Sequence, residues 1–336
     1  MHSALSRKRT MSPTVSVIVT VFNESASLPG LLDSLALQTR LPDEIVIVDG
    51  GSRDDTLEIL ERYAARGELP LRVHSRPGAN ISQGRNAAID AAQGSLIAVT
   101  DAGVRLSPNW LEELVCPLVE DPDVHIVSGF FAPAPQTPFE VAMGATVLPT
   151  LSEVDPATFL PSSRSVAFRK TAWEAVGGYP EWLDYCEDLL LDLELRCRYG
   201  PFAFAPRALV YFRPRSDIRS FFSQYCRYAR GDGKADLWRK RHTVRYSTYC
   251  FAVPALLLMA WLHSAWWLLG FLIGGALYTA GPYRRLATMM RGLRTSERLY
   301  AIAMVPCIRV IGDVAKMIGY PVGWVWRLRH LKEIPR

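Results

Sequence analysis

The sequence has no CxxC pair among its six cysteines, and no apolar stretch precedes the first strand-like segment. Cysteines that lie far apart without this spacing exclude a zinc knuckle and a disulfide framework, so we expect reduced, buried thiols. A basic N-terminal segment without an apolar core region excludes a secretory signal. We therefore expect a flexible N-terminus at 1–13, followed by a first domain that stays in the cytoplasm.

The sequence also has only a small excess of positive charge. The 336 residues include 38 Lys and Arg against 33 Asp and Glu, which gives a formal net charge of +5. So mild an excess does not indicate a nucleic-acid partner, and we expect none. Basic residues crowd toward the C-terminal end beside long apolar runs, which favours a negatively charged membrane face as their neighbour.

Strand-like and helical patterns alternate through the first part of the chain. Short β-branched runs predict strands at 15–21, 44–48, 71–75, 95–100 and 124–129. Apolar residues at helical spacing predict helices at 27–37, 56–65, 82–92 and 109–120. This alternation predicts an α/β fold with a doubly wound parallel sheet.

Polar residues follow three of these strands, at 22–24, 49–52 and 101–103. Ligands of doubly wound sheets bind in the crevice beyond the carboxyl ends of the strands, so these segments are candidates for a binding site. The first strand is not followed by a Gly-rich phosphate loop. This absence argues against a nicotinamide or flavin cofactor.

Four segments carry a family resemblance: VSVIVTVFNES, EIVIVDGGSRDDT, GRNAAIDAAQGSLIAVTDAG and AFRKTAWEAVGGYPEWLDYCED. In this order they resemble the successive motifs of family 2 glycosyltransferases. The resemblance implies a GT-A fold, which is an α/β, doubly wound, mixed and Rossmann-like sheet, and inverting transfer of a sugar from a nucleotide-sugar donor. It covers a catalytic domain at 14–230, with a nucleotide-binding half at about 14–130 and an acceptor half at about 131–230.

The resemblance also implies which residues bind the donor. Asn23, Glu24 and Asp49 are expected to line the nucleotide pocket, where the Asp49 carboxylate would accept a hydrogen bond from the base. Arg85 is the matching basic candidate for the diphosphate. The alternative for Asp49 is that its side chain only caps the turn that follows it.

A metal site is expected less clearly, because the sequence reads Asp101-Ala102-Gly103 where the family usually has Asp-x-Asp. One alternative is a divalent cation, Mg²⁺ or Mn²⁺, held by Asp101, phosphate oxygens and water. The other is that metal binding is weak or dispensable and arginines neutralise the leaving diphosphate. The sequence leaves both open.

The catalytic base is expected in the Glu187-Asp188 pair, which follows Gly177-Gly178-Tyr179 as in the family pattern. The resemblance implies that Asp188 takes the proton of the acceptor hydroxyl, with Glu187 beside it, and that Gly178 lies near the acceptor or the diphosphate. Without the resemblance, two carboxylates in the first turn of a helix only stabilise the helix dipole.

The segment 224–228 resembles the family motif Gln-x-x-Arg-Trp, with Tyr in the last place. The resemblance implies that Gln224, Arg227 and Tyr228 close over the acceptor and the diphosphate. An ordinary amphipathic helix next to a membrane explains the same residues equally well, and both interpretations stay open.

The C-terminal third resembles a membrane segment in composition. No charged residue lies between 246 and 280, and basic residues flank this stretch on both sides. We therefore expect a juxtamembrane segment and transmembrane hairpin at 231–298, with both ends cytoplasmic. At 299–336 we expect an interfacial amphipathic helix and a basic tail, because Arg309, Asp313 and Lys316 share one helical face. The alternative is a buried helical pair in a soluble protein.

Together these features predict a multi-pass protein of the inner membrane with a cytoplasmic catalytic domain. Its expected partners are a nucleotide-sugar donor, a lipid-linked or cell-envelope saccharide acceptor and the membrane. The alternative function is a catalytically silent protein that binds nucleotide-sugar or scaffolds an envelope polysaccharide complex, because the Asp-x-Asp motif is incomplete.

Overall fold

The computed structural model describes residues 13–332. The predicted flexible N-terminus at 1–13, except for its last residue, lies outside the described residues, as does the end of the predicted basic tail. Eight strands form one sheet in the order β3-β2-β1-β4-β7-β6-β8-β5. The strands are β1 (Val15–Val21), β2 (Glu44–Asp49), β3 (Leu71–Ser75), β4 (Leu96–Asp101), β5 (Val104–Leu106), β6 (Ile126–Pro133), β7 (Val166–Arg169) and β8 (Ala203–Phe212).

Twelve α-helices are found in the part of the chain that the structure describes. They are α1 (Leu28–Ala36), α2 (Thr56–Arg66), α3 (Ile81–Ala91), α4 (Trp110–Glu120), α5 (Pro138–Val147), α6 (Lys170–Ala175), α7 (Glu187–Tyr199), α8 (Ile218–Ala235), α9 (Arg239–Ser247), α10 (Val253–Leu262), α11 (Leu269–Met289) and α12 (Thr295–Arg329).

The central strands are buried because helices cover both faces of the sheet. One face packs against α1 and α4, whose Leu31, Leu35 and Trp110 are fully buried. The other face packs against α3 and α6 through Ile89 and Trp173. Strands covered on both sides read as continuous apolar runs, which is why β1 and β2 were recognisable in the sequence.

The sheet is mixed. Strands β1 to β4 are parallel to one another, whereas β7 runs antiparallel between β4 and β6. The strictly parallel sheet that alternation predicts is therefore wrong beyond β4, and the mixed sheet implied by the family resemblance is confirmed. Strand β7 has only four residues and pairs with strands distant in sequence, so it leaves no periodic pattern to detect.

The transmembrane hairpin expected at 231–298 is not supported. Within residues 13–332, no helix is at once long enough and apolar enough to cross a membrane. Helix α10 has 10 residues and continues from α9 through a π-helical segment, Thr248–Ala252, and α9 is rich in basic residues. Helix α11 is longer but contains Pro282 and the pair Arg284 and Arg285. Composition shows that a segment is apolar, but it does not show where its helices begin and end.

Helix α12 packs closely along α8 because glycines line the contact. A Cβ atom at Gly319 would overlap the carbonyl oxygen of Cys226, and one at Gly323 would overlap that of Arg230. Gly233 of α8 faces the backbone of α12 in the same way. Small residues spaced four apart let two helix backbones approach each other. This contact fixes the C-terminal helix against α8.

We expect Gly319→Ala to lower the free energy of unfolding by about 1–3 kcal/mol, because an added methyl group meets backbone that cannot rotate away. The matched control is Gly274→Ala in α11, where nothing lies within 4 Å of the added atom; alanine should leave stability unchanged or raise it there. Urea unfolding of both variants measures the difference. Equal stability of the two variants would show that the α8–α12 contact is looser than described.

Candidate active site

A cavity of about 770 Å³ opens at the carboxyl ends of the parallel strands. Its floor includes Thr20 and Val21 of β1, Val48 of β2 and Asp101 of β4. The first turn of α7 and one side of α8 form a second wall, and α9 and α12 contribute a third. The cavity therefore joins the crevice expected in a doubly wound sheet to residues from the C-terminal third.

A buried arginine links the strand ends to α7. Arg85 is 2% exposed, and its Nη2 donates to Asp101 Oδ1 at 2.8 Å while its Nη1 donates to Glu187 Oε1 at 2.6 Å. Gly84 permits this position, because a Cβ there would come within 2.9 Å of Thr20 and push α3 away from β1. Burial and the neighbouring Asp188 charge raise the pKa of Glu187 to about 7, outweighing the contact with Arg85.

Asp188 follows Glu187 in the first turn of α7 and lines the cavity. The preceding residue, Cys186, has a left-handed backbone with φ 65°, and consecutive residues of a helix direct their side chains to different places. Asp188 Oδ1 accepts a hydrogen bond from the backbone N of Leu189 at 2.8 Å. No Lys, Arg or His of residues 13–332 forms a salt bridge with it. A carboxylate without a salt-bridge partner is suited to accept a proton.

Residues 16–160 match the family described as glycosyl transferase family 2. This segment is similar to that family and covers less than half of the chain. The putative glycosyltransferase EpsH of Bacillus subtilis (strain 168) is 31% identical over 115 residues, which cover 34% of this chain and 33% of that protein. The hyaluronan synthase of Pasteurella multocida is 31% identical over 114 residues, 34% of this chain and 12% of that protein. The matches thus span at most a third of these curated relatives.

Solved structures show the same fold. A mannosyltransferase, PcManGT from Pyrobaculum calidifontis, in complex with GDP-Man and Mn²⁺, superposes with a TM-score of 0.63 and 20% identity over 92% of this chain and 88% of that one. GalNAc-T7 with UDP, GalNAc and Mn²⁺ has a TM-score of 0.50 and 16% identity over 67% of this chain and 48% of that one. The GT-A fold expected from the sequence is confirmed.

The family resemblance assigned the donor nucleotide to Asn23, Glu24 and Asp49. Of these, Glu24 lines the cavity. Asn23 Oδ1 accepts from the backbone N of Arg53 at 2.8 Å and so ties the loop after β1 to the loop after β2. Asp49 is fully buried, and its carboxylate accepts from the backbone N of Gly51 and Ser52 and from the Ser52 hydroxyl. Its hydrogen bonds favour the turn-capping alternative.

The residues assigned to the acceptor or diphosphate lie apart from one another. Gly178 has φ 78° and packs against Trp173, which makes it a structural turn residue. Gln224 and Arg227 border a second, smaller cavity of about 260 Å³, where Arg227 Nη1 donates to the hydroxyl of Tyr185 at 3.1 Å. Tyr228 borders both cavities. Of this motif, only the tyrosines at 225 and 228 reach the main cavity.

Several cavity residues were not expected from the sequence. Arg164 precedes β7, and its Nε lies 3.5 Å from Asp101 Oδ2. Arg245 of α9 and Lys316 of α12 enter from the C-terminal third. The shared face of Arg309, Asp313 and Lys316 was recognised in the sequence but was assigned to a membrane interface; instead, Asp313 and Lys316 face the protein. The glycines spaced four apart on α12 were the available signal for this docking.

The described residues do not fit a divalent cation held by protein ligands. Both oxygens of Asp101 face guanidinium groups, at 2.8 Å from Arg85 and 3.5 Å from Arg164. Gly103 provides no second carboxylate, and residues 13–332 contain no group of three or more His, Cys, Asp or Glu side chains placed to bind a metal ion. Hard cations prefer several anionic oxygens. Of the two alternatives that the sequence left open, this donor set favours neutralisation by arginine.

Proposed function

We propose that this protein transfers a sugar from a nucleotide-sugar donor to an acceptor hydroxyl with inversion, and that Asp188 is the general base. The observation that carries the proposal is the position of the Asp188 carboxylate, without a cationic partner, in the same cavity as the strand ends that bind donors in this fold. A single base is sufficient for this chemistry, since no covalent intermediate has to be formed.

In the proposed reaction, Asp188 accepts the proton of the acceptor hydroxyl while that oxygen attacks the anomeric carbon. The bond from the anomeric carbon to the nucleoside diphosphate breaks on the opposite side, and the diphosphate leaves with the electron pair. Arg164 borders the cavity beside Asp101 and would offset the charge that develops on the leaving group. Arg85 orients Asp101 and Glu187 through its hydrogen bonds to both carboxylates.

We further propose that the acceptor is lipid-linked or an envelope saccharide and that transfer takes place at the cytoplasmic membrane surface. A contiguous group of apolar side chains on α10, α11 and the turn between them is exposed, including Trp261 at 81% and Trp266 at 76%. Apolar residues also line the outer side of α12: Val310, Val314, Ile318, Val322 and Val325. Exposed apolar area of this extent, flanked by basic residues, favours a lipid surface.

The function is tested with the full chain in anionic vesicles, UDP-, GDP- and dTDP-sugars as donors, and extracted lipid-linked saccharides or soluble oligosaccharides as acceptors. Transfer from one donor class to a lipid-linked acceptor is the expected result. Preference for the soluble acceptors would contradict the membrane part of the proposal. Nucleotide binding without turnover of any donor would favour the catalytically silent alternative.

The membrane contact has its own test. Replacement of Trp261, Trp266 and Trp267 together by serine is expected to weaken co-sedimentation with vesicles at least about tenfold, since each buried aromatic side chain contributes about 1.5–3 kcal/mol. The control changes Leu37 and Leu41, which are exposed but lie on the catalytic domain. Equal effects of the two sets would argue against a specific membrane-binding surface.

A chelation experiment tests whether arginine replaces the metal. We expect the transfer rate in EDTA to stay within about twofold of the rate with Mn²⁺, whereas Arg164→Gln lowers it at least about tenfold, because a charge-assisted hydrogen bond contributes about 1.5–3 kcal/mol. Initial rates of donor turnover measure both effects. A strict requirement for Mn²⁺ would show that donor phosphates and Asp101 bind a cation despite the two guanidinium groups.

A further inference from the structure

Three cationic side chains line the side of the cavity formed by the C-terminal helices. Arg241 and Arg245 belong to α9, and Lys316 belongs to α12. We call this group the cationic wall. Arg245 is paired, since its Nε donates to Asp313 Oδ1 at 2.7 Å. Within residues 13–332, neither Arg241 nor Lys316 forms a salt bridge with a carboxylate.

The carboxylates near Lys316 are already bound by other groups. Asp313 accepts hydrogen bonds from Arg245 and from the Tyr278 hydroxyl, and Asp232 Oδ2 lies 3.2 Å from His242 Nε2. The Lys316 ammonium instead lies 5.0 Å from the centre of the Tyr225 ring. Burial and the nearby Arg245 lower the pKa of Lys316 to about 8. A half-buried cation in this state is stabilised by an anion that enters the cavity.

The cationic wall and the donor side of the cavity are formed by different elements of the fold. Arg85 and Arg164 already provide positive charge at the strand ends, beside Asp101. Tyr225 and Tyr228, whose ring centres are 5.8 Å apart, line the cavity from α8, and Lys316 contacts the first of these rings. Helix α9 continues through a short π-helical segment, Thr248–Ala252, into α10. The wall therefore adjoins the helices that carry the exposed apolar surface.

We propose that the cationic wall binds the phosphate group of a phosphate-bearing acceptor, with Lys316 as its main contact. The inference rests on the proposed function and extends it by giving the acceptor's chemical class. A phosphate held beside apolar, surface-exposed helices is the arrangement that a lipid phosphate requires, with its chain directed outward. A soluble sugar phosphate presents the same group, so the experiment distinguishes the two sources.

The test measures binding to the full chain by the shift in unfolding temperature. The phosphate probes are decyl phosphate in phosphatidylcholine vesicles and glucose 6-phosphate in solution; decanol in the same vesicles is the uncharged control. Variants are Lys316→Met, Lys316→Arg and, as a matched control, Lys240→Met on the exposed side of α9. UDP and GDP binding are measured in parallel as the readout of the donor site.

We expect Lys316→Met to weaken binding of decyl phosphate at least about tenfold, while Lys316→Arg and Lys240→Met retain it and nucleotide affinity stays within about twofold. Tighter binding of glucose 6-phosphate than of decyl phosphate would assign the site to a soluble acceptor. An equal loss of nucleotide affinity in Lys316→Met would overturn the inference, because the wall would then belong to the donor diphosphate. Binding of decanol as tight as that of decyl phosphate would also overturn it, because the phosphate group would then contribute nothing. Failure of the proposed function can be distinguished from failure of this inference, because decyl phosphate would still bind while no donor supported sugar transfer.

The pH dependence provides a readout that a structural role for Lys316 would not change. Below pH about 8 the ammonium is charged, so wild-type affinity for decyl phosphate should fall as the pH rises through this value, whereas Lys316→Arg should keep its affinity. A parallel decline in both proteins would assign the titration to another group. The charged and titratable groups that face Lys316 from α8, α9 and α12 are Tyr225, Asp232, His242, Arg245, Arg309 and Asp313.

Discussion

Asp188→Asn is expected to lower the rate of sugar transfer by about 10²–10⁴-fold while nucleotide affinity stays within about twofold. The amide has nearly the shape of the carboxylate and can still accept the hydrogen bond from the Leu189 backbone, so the first turn of α7 should remain intact. It cannot take the proton of an acceptor hydroxyl at neutral pH. The defect should therefore appear in kcat and not in the dissociation constant of the nucleotide.

The matched control is Asp184→Asn, which changes another carboxylate on the same cavity. Asp184 forms salt bridges with Lys234 at 3.1 Å and with Arg230 at 3.3 Å. We therefore expect the loss of this carboxylate to change the transfer rate only severalfold. Single-turnover kinetics with a saturating donor distinguishes the two variants. Retention of a tenth or more of the wild-type rate in Asp188→Asn would remove this residue as the base, and a loss of nucleotide binding would indicate a disrupted cavity.

The second large effect is expected for Arg85→Met. Removing this guanidinium leaves Glu187 and Asp101 without their shared partner inside the protein. Breaking a buried ion pair from one side costs about 3–5 kcal/mol of unfolding free energy. Transfer should be lost as well, because Glu187 would no longer hold the start of α7, and with it Asp188, against the strand ends.

The destabilisation should depend on pH. The pKa of Glu187 is raised in the folded protein, from 4.5 to about 7, so its contribution to stability is present below pH about 4.5 and is lost as the pH rises through about 7. Without Arg85 the ionised form is disfavoured further. Urea unfolding should therefore show a smaller defect for Arg85→Met at pH 5 than at pH 8, and a defect independent of pH would contradict this account.

Arg72→Met serves as the control for the loss of an arginine. Arg72 pairs with Glu44 at 2.8 Å, but its side chain is partly exposed, and Glu44 also accepts hydrogen bonds from Ser16 and from the backbone of Gly94. Such a pair contributes about 0–1 kcal/mol. If both arginine variants lost the same stability, burial would not be the reason for the importance of Arg85.

The sequence by itself determined the central elements. The predicted bounds of β1 and β3 agree with the structure, and those of β2 and β4 agree within one residue. These strands consist of β-branched, apolar runs between turn residues, so their conformation follows from local side-chain preferences and from burial on both faces. The order of the polar segments after the strands was sufficient to indicate the family and the edge of the sheet where the cavity lies.

Only the tertiary structure decided how those polar residues are used. Asp49 and Arg85 are both polar residues in the predicted site. The Asp49 carboxylate accepts hydrogen bonds within the turn that follows it, whereas Arg85 donates to two carboxylates from distant parts of the chain. Which partner a side chain finds depends on which segments are brought together. That information is not present in the residues next to it in sequence.

The C-terminal third shows the same limit most clearly. Its apolar composition and the shared face of Asp313 and Lys316 were visible in the sequence, but neither the helix lengths nor the side that faces the protein followed from them. The close approach at Gly319 and Gly323 turns the polar face toward the cavity and leaves the apolar face exposed. Periodicity shows that a helix has two faces, whereas only packing against another element decides which of them is buried.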